Sequence, residues 1–288
     1  MSQKINVNCI HQIKTSLNIS SYISLCFNCS SLLLKDQSNL EISTIKPTKY
    51  SLIQENNIPL FFSIPNKKSY TFRNKKSYIN IRTTLIKKMK LLCNNLKLNK
   101  KTFFLSLDYL DMICSKMNYF DLDALKQISK FCIILASKFQ ENGQKGLEAT
   151  KYGIIMDNNY IKDELYLLKL LDYDLYKFTC YDILVDIIHY GFLFIGENFS
   201  INKMKAIYEK IENMLYMFAE NKYYIDMTHK EIALVIIGLV REILGLEAYN
   251  NIIRYVFNID SNDIQKYIKN LNRIKKLFII KENNANNN

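Results

Sequence analysis

Glycine and proline are scarce in this chain, 7 and 3 in 288 residues. A many-stranded sandwich or barrel, or a collagenous repeat, needs those residues at its turns, so their scarcity excludes such classes and favours helices. Histidine occurs only as His11, His189 and His229, and none has a Ser or Cys nucleophile pattern nearby. A glycine-rich phosphate loop, an HExxH sequence and a paired-acid motif are all absent, which leaves no support for an enzyme or for a small-molecule substrate. No apolar run reaches the ~18 residues of a membrane span. The opening MSQKINVNCIHQIK has no apolar stretch behind its charges, and the expectation is a soluble, intracellular protein of the cytoplasm or nucleus that does not engage a membrane.

Apolar residues make up 49% of the chain and aromatics 12%, ample for one large domain or two of ordinary size, and incompatible with global disorder. The seven cysteines are an odd number spread over a long chain, and four fall within helical apolar patterns. That usage points to reduced thiols. The net charge of +12 is unevenly placed: residues 1–101 carry 17 basic and 3 acidic residues, whereas residues 102–288 carry 22 and 24. A basic first third therefore precedes a nearly neutral remainder.

Residues 1–77 hold all three prolines among Ser, Thr and Asn clusters and show no sustained helical period, so they read as a basic, mostly irregular arm. From Tyr78 onward apolar residues recur at spacings of three and four, as amphipathic helices require. Five helices are predicted by residue 175, with Asn99 and Asp121 as caps of the second and third, LEATKYGIIM (147–156) as the fourth and YIKDELYLLKLL (160–171) as the fifth. Five more are expected at 180–191, 201–219, 229–243, 246–255 and 261–280, with Asn202, Thr228 and Ser261 near three of their starts. The fold class is all-α, two five-helix bundles at 78–175 and 176–280, with a disordered polar tail at 281–288. Apolar residues surround IILA (133–136) and IALVIIGLV (232–240) on almost every side, so the helices at 122–138 and 229–243 should be the buried centres, the first the most buried of its bundle.

CIILASKFQEN (132–142) resembles the ASK-aromatic-acidic segment of the cyclin box. The likeness extends upstream through Ile81-Arg82 to Leu85 and through FFLSLDYLDMICSK (103–116), and downstream through DELYLLKLLDYDLYKFTCYDIL (163–184). It implies two tandem cyclin folds and a regulatory subunit that binds and activates or scaffolds a cyclin-dependent protein kinase. It also implies roles for particular residues. Lys138 and Glu164 match the family's kinase contacts, with Glu141 and Phe139 beside them, and Arg82 and Asp111 match a structural pair that ties the first two helices together. Phe131, Ile134, Phe139, Leu165, Leu168 and Leu171 read most simply as core, with a kinase-facing role as the second reading of Phe139. Lys88 stands where many cell-cycle members have a tryptophan, so the family's apolar peptide-docking patch is not carried over.

In the arm, Cys9, His11, Cys26 and Cys29 present four ligands in two close pairs, suited to a structural zinc ion. The same residues also suit a small apolar cluster with inert thiols. Zinc followed by two cyclin folds would resemble general transcription factors of the TFIIB type. The runs Lys67-Lys68, Arg73-Asn74-Lys75-Lys76 and Lys87-Lys88-x-Lys90, interleaved with Tyr70, Phe72 and Tyr78, would then contact phosphates and stack on bases. The other readings of those runs are a solvated linker and, for the whole chain, a non-catalytic structural adaptor. No cofactor other than that zinc is implied.

Overall fold

The computed structural model describes residues 10–13, 22–25, 70–72, 75–118, 121–141, 158–190, 192–193, 197–198 and 200–286. The helix expected at 147–156 lies outside these residues, as do Cys9, Cys26, Cys29 and the side chain of His11. The fold is all-α. Its helices are α1 (Lys75–Asn95), α2 (Lys100–Lys116), α3 (Leu122–Gln140), α4 (Asn158–Leu170), α5 (Cys180–Tyr190), α6 (Ile201–Ala219), α7 (His229–Leu244), α8 (Asn251–Val256) and α9 (Ser261–Asn286). A 3-10 turn at Lys222–Asp226 links α6 to α7. Within the arm, expected to be irregular, β1 (Ile10–Ile13) and β2 (Tyr22–Leu25) pair as an antiparallel hairpin with His11 opposite Ser24. Among the described residues no helix is long and apolar enough to cross a membrane.

Local chemistry explains most of the boundaries. The Asn99 side chain accepts from the Lys101 N–H at 3.0 Å and the Asp121 carboxylate from the Ala124 N–H at 2.9 Å, each satisfying a donor that the helix itself leaves open. At α7 a capping box forms, with Thr228 Oγ1 accepting from the Glu231 N–H at 3.2 Å and Glu231 Oε2 from the Thr228 N–H at 2.7 Å. Asn202 and Ser261 lie at the starts of α6 and α9 as expected, and the caps themselves are Ser200, whose Oγ accepts from the Lys203 N–H at 3.4 Å, and Asp260, which accepts from the Asp263 N–H at 2.8 Å.

The eighth helix starts at Asn251 instead of 246 because α7 ends in a Schellman turn. Gly245 sits at φ +87°, donating to Glu242 O at 3.0 Å while Leu246 donates to Arg241 O at 2.9 Å. Residues 246–250 are thereby committed to the turn, and Asn250 Oδ1 opens α8 by accepting from Ile253 N at 2.9 Å. At the other end, α9 continues to Asn286, past the expected onset of disorder at residue 281. Adding a residue to a helix already nucleated gains a hydrogen bond without a further nucleation cost.

The helical region divides into two compact units, and the division interleaves the sequence. One takes Asn66–Ile183 with Leu215–Ile232, and the other takes Leu184–Met214 with Ala233–Asn288. In the first, α2 and not α3 is the most buried helix: twelve of its seventeen residues are buried, against nine of nineteen in α3. The reason is its surroundings. α2 packs against α1, α3 and α4, and its Phe103 and Phe104 rings lie 5.0 and 5.1 Å from Tyr216, with Tyr181 stacked on Phe104 at 5.3 Å. The opening turns of α3 face solvent at Leu122, whereas Phe131–Ser137 are buried throughout.

In the second unit, residues 233–241 of α7 are buried without interruption. Gly238 allows close approach there: a Cβ at that position would lie 2.7 Å from Tyr249 Oη and 2.8 Å from its Cζ. The Tyr249 ring is buried and its hydroxyl donates to Leu234 O at 3.3 Å, so it has little room to retreat. Gly238→Ala would gain ~1 kcal/mol of helix propensity but lose about 1–3 kcal/mol to overpacking. A lowered thermal midpoint is expected by circular dichroism, and a raised one would contradict the close packing.

Candidate functional site

Arg82 of α1 and Asp111 of α2 meet face to face in the interior of the first unit. Arg82 Nε donates to Asp111 Oδ1 and Nη2 to Oδ2, both at 2.8 Å, a bidentate pair with each side chain almost wholly buried. The remaining capacity is filled. Tyr78 donates its hydroxyl to Asp111 Oδ1 at 2.6 Å, Arg82 Nη1 donates to the Ala219 carbonyl at 2.5 Å, and the guanidinium lies 5.1 Å from the centroid of the Tyr224 ring. Burial alone would lower the Arg82 pKa, but the charge and hydrogen bonds of Asp111 outweigh it and hold the group above the ordinary arginine value. Burial and then Asp111 push the Tyr78 hydroxyl well above its usual range, so it remains a donor. This cluster fixes α1, α2 and the end of α6 against one another, the frame from which α3 projects.

At the far end of α3, Lys138 Nζ donates to Glu164 Oε1 of α4 at 2.5 Å. The lysine side chain is 40% exposed and the glutamate 20%. Apolar groups flank the pair on the surface. Phe139 is 44% exposed and meets Tyr176 edge-on at 6.2 Å between ring centroids, while Leu165 and Tyr166, next to Glu164, are exposed too. Phe139 and Leu165 thus leave the core assigned to them from sequence, whereas Phe131, Ile134 and Leu171 are buried. Tyr109 donates to the carbonyl of Leu175, which ties the strand of chain carrying Tyr176 back to α2.

Glu141, expected beside Lys138 on the kinase-facing surface, is half-exposed and its carboxylate is engaged with the start of α2. Its Oε1 accepts from the Asn99 N–H and the Thr102 hydroxyl, each at 2.7 Å. The start of α2 leaves its N–H groups open and carries the positive end of the helix dipole, which is where a carboxylate is most stabilised. Lys88 also has a definite place. With Lys126, Lys130 and Asp123 it lines a groove between α1 and α3 together with Met89 and Ile133.

The aromatics expected to interleave with lysines for base stacking are held internally. Phe72 stacks on Tyr78 at 5.1 Å, Tyr78 has no exposure, and Tyr70 donates its hydroxyl to Asp108 Oδ1 at 2.9 Å. Lys75, in the adjacent basic run, pairs with Asp226. Among the described residues no group of three or more His, Cys, Asp or Glu side chains is arranged to hold a metal ion.

Three buried constellations had no counterpart in the sequence reading. In the second unit Arg241 Nη1 donates to Glu197 Oε2 at 2.9 Å and to Phe192 O at 2.8 Å, Nη2 donates to Glu197 Oε1, and Nε donates to Glu247 O at 2.9 Å. An arginine at the end of the apolar run 232–240 was the signal available in the sequence. In the first unit His229 accepts from the Cys180 N–H at Nδ1, 3.1 Å, which places its ring proton on Nε2, 3.1 Å from Asp108 Oδ1. The Cys180 thiol lies 3.0 Å from the Tyr224 hydroxyl.

The described cysteines, Cys93, Cys114, Cys132 and Cys180, are buried thiols. Burial pushes the Cys93 thiol up to about 12 and holds Cys114 and Cys132 above the usual thiol range, so these three carry almost no reactive thiolate at neutral pH. In the native protein at pH 7 they are expected to resist a maleimide and to label once denaturant is added, as read by peptide mass spectrometry. Labelling of Cys114 or Cys132 in the folded state would contradict their burial.

Comparison with known proteins accords with this geometry. Residues 50–176 match the family model described as Cyclin, N-terminal domain. The match begins well before the box start expected at residue 78 and ends within a residue of its expected end. A crystal structure of a viral cyclin from herpesvirus saimiri superposes with a TM-score of 0.53 at 18% identity, covering 77% of this chain and 95% of that one. At that identity the likeness establishes the fold. No curated protein matches the sequence. Over residues 50–176, which hold α1, α2 with its buried link to α1, and α3 with its ASK segment, the chain is similar to the cyclin N-terminal domain, and its fold is that of a cyclin.

Proposed function

We propose that the chain is the regulatory subunit of a cyclin-dependent protein kinase, which it binds through the ends of α3 and α4 and has no chemistry of its own. The observation that carries this reading is the Lys138–Glu164 pair set among exposed Phe139, Leu165, Tyr166 and Tyr176. A solvent-exposed ion pair contributes little to stability, and large apolar side chains clustered at the surface are the usual mark of a protein contact. The pair suits a partner that supplies a backbone or side chain between the two charged tips. A kinase needs its strand lysine paired with a glutamate on a mobile regulatory helix before the nucleotide phosphates are held correctly. A rigid helical partner that binds the active position better than the inactive one shifts that equilibrium.

Affinity purification of the tagged chain from its native cells, followed by mass spectrometry, tests the reading. A protein kinase subunit recovered in near-equal amount, whose histone-type phosphorylation activity depends on this chain, is the expected result. Recovery with polymerase subunits would overturn it in favour of a transcription-factor role, and recovery alone or with cytoskeletal proteins would overturn it in favour of an adaptor.

A further inference from the structure

The second unit carries a groove unrelated to the residues discussed so far. One wall is a single stripe of α6, Lys203, Ala206, Ile207, Lys210 and Met214, and the other sides come from Leu239, Glu242 and Ile243 of α7 and from Lys275 and Phe278 of α9. The spacing along α6 is 3, 4, 7 and 11 residues from Lys203, so the wall follows one face of the helix for about 16 Å at 1.5 Å per residue. The groove holds about 390 Å³, within the ~300–1,000 Å³ of ordinary ligand sites.

Its floor and its rim differ in character. Ile207, Met214 and Leu239 are buried at the bottom, 2–3% exposed, while Ala206 lies open at the edge. The rim holds three lysines against one acid, Glu242, and that acid is already met by Lys275 at 2.8 Å. Beyond the groove α9 continues the same sign with Lys266, Lys269, Arg273 and Lys276 against the single Asp263 in that stretch. Lysine stems extend apolar surface while their ammonium groups stay in water, so they border an apolar slot without closing it.

We infer that this groove docks an acidic amphipathic helix of a partner protein, laying its apolar stripe along α6 and its carboxylates against Lys203, Lys210 and Lys275. Length and charge together select that occupant. A slot three turns long with a buried apolar floor matches anchors at i, i+3, i+4 and i+7 of a second helix. The excess of positive charge at its border favours an acidic partner and disfavours a basic one. Nucleic acid would leave the apolar floor unfilled. The inference concerns a different unit from the α3–α4 surface and does not depend on kinase binding.

The test uses the full chain and a fluorescent synthetic helix with leucines at i, i+3, i+4 and i+7 and glutamates at its other outward positions, followed by anisotropy. Binding that weakens as salt rises is expected, because exposed charges are screened beyond a Debye length of about 8 Å at physiological ionic strength. Ala206→Trp, which fills the slot from its open edge, should abolish binding. The triple change Lys203→Gln, Lys210→Gln and Lys275→Gln should weaken it on the order of tenfold. Each variant is checked for an unchanged helical spectrum, and a second filling variant, Ala206→Phe, replaces Ala206→Trp if the latter does not fold. Three results would overturn the inference: no binding of the acidic peptide, equal binding of its glutamine analogue, or binding that survives the filled slot. A single-stranded oligonucleotide or phosphatidylserine vesicles binding this face in place of the peptide would overturn it as well, in favour of phosphate recognition.

Discussion

Asp111→Ala is expected to lower the thermal midpoint by roughly 6–20 °C. The magnitude follows from two steps. Removing one partner of a buried ion pair costs about 3–5 kcal/mol, because the other charge is left desolvated, and in a chain of this size class each kcal/mol is worth about 2–4 °C. After the change Arg82 would keep the Ala219 carbonyl and the Tyr224 ring but no carboxylate, and the Tyr78 hydroxyl would lose its charged acceptor inside the core. Arg82→Met together with Asp111→Leu should do less harm than Asp111→Ala alone, since no charge stays behind. Thermal denaturation followed by circular dichroism reads both effects. A shift of the single variant no larger than that of a surface substitution would show that the pair is not the internal anchor described above.

Lys138→Ala combined with Glu164→Ala is expected to do the opposite, leaving the midpoint almost unchanged while association with the recovered kinase falls by orders of magnitude. In the free chain the pair is partly exposed, so its worth is below ~1 kcal/mol after screening by solvent. At an interface the same charges become desolvated, and truncating one typically costs ~2–5 kcal/mol, which is ~30-fold to several-thousand-fold in affinity. Pull-down titration against the kinase, beside a melting curve of the same preparation, separates the two. Binding that survives the double change would remove both residues from the contact surface while leaving the fold untouched. Glu141→Ala offers the contrast, since its carboxylate holds the start of α2 and its loss should appear in the melting curve first.

Much of the first unit could be read from sequence because its signals are short in range. The caps at Asn99 and Asp121 act within three residues, and the spacing of apolar positions in α2 and α3 repeats every turn. The cyclin-like segments are contiguous stretches, so they too were legible. Leu165 shows the limit of such reasoning. It is as apolar as Leu171, yet one is 46% exposed and the other is fully buried, a difference that depends on which neighbours cover each side of α4. Glu141 shows another. Its charge was plain in the sequence, but the open N–H groups that claim it belong to a helix starting some forty positions earlier.

Helix positions, most of their caps, the all-α class and the likeness to the cyclin N-terminal domain were determined by the amino-acid sequence alone, because hydrogen bonding within a helix and the burial of one face repeat over 3 or 4 residues. The partners of the buried polar groups were decided only by the tertiary structure. Arg241 finds Glu197 across 44 positions, and His229 lies against Asp108 and beneath the Cys180 N–H, 49 positions from it. The physical reason is that an interior charge or imidazole is stabilised by whichever acceptor or donor packing brings within about 3 Å, and its cost without one is several kcal/mol. Helical period tells that α2, α5 and α7 each have an inward face; it does not tell which residues of different helices share a depth and an angle, and it is that coincidence which turns Arg82, Arg241 and His229 from isolated polar residues into the fixed points of the fold.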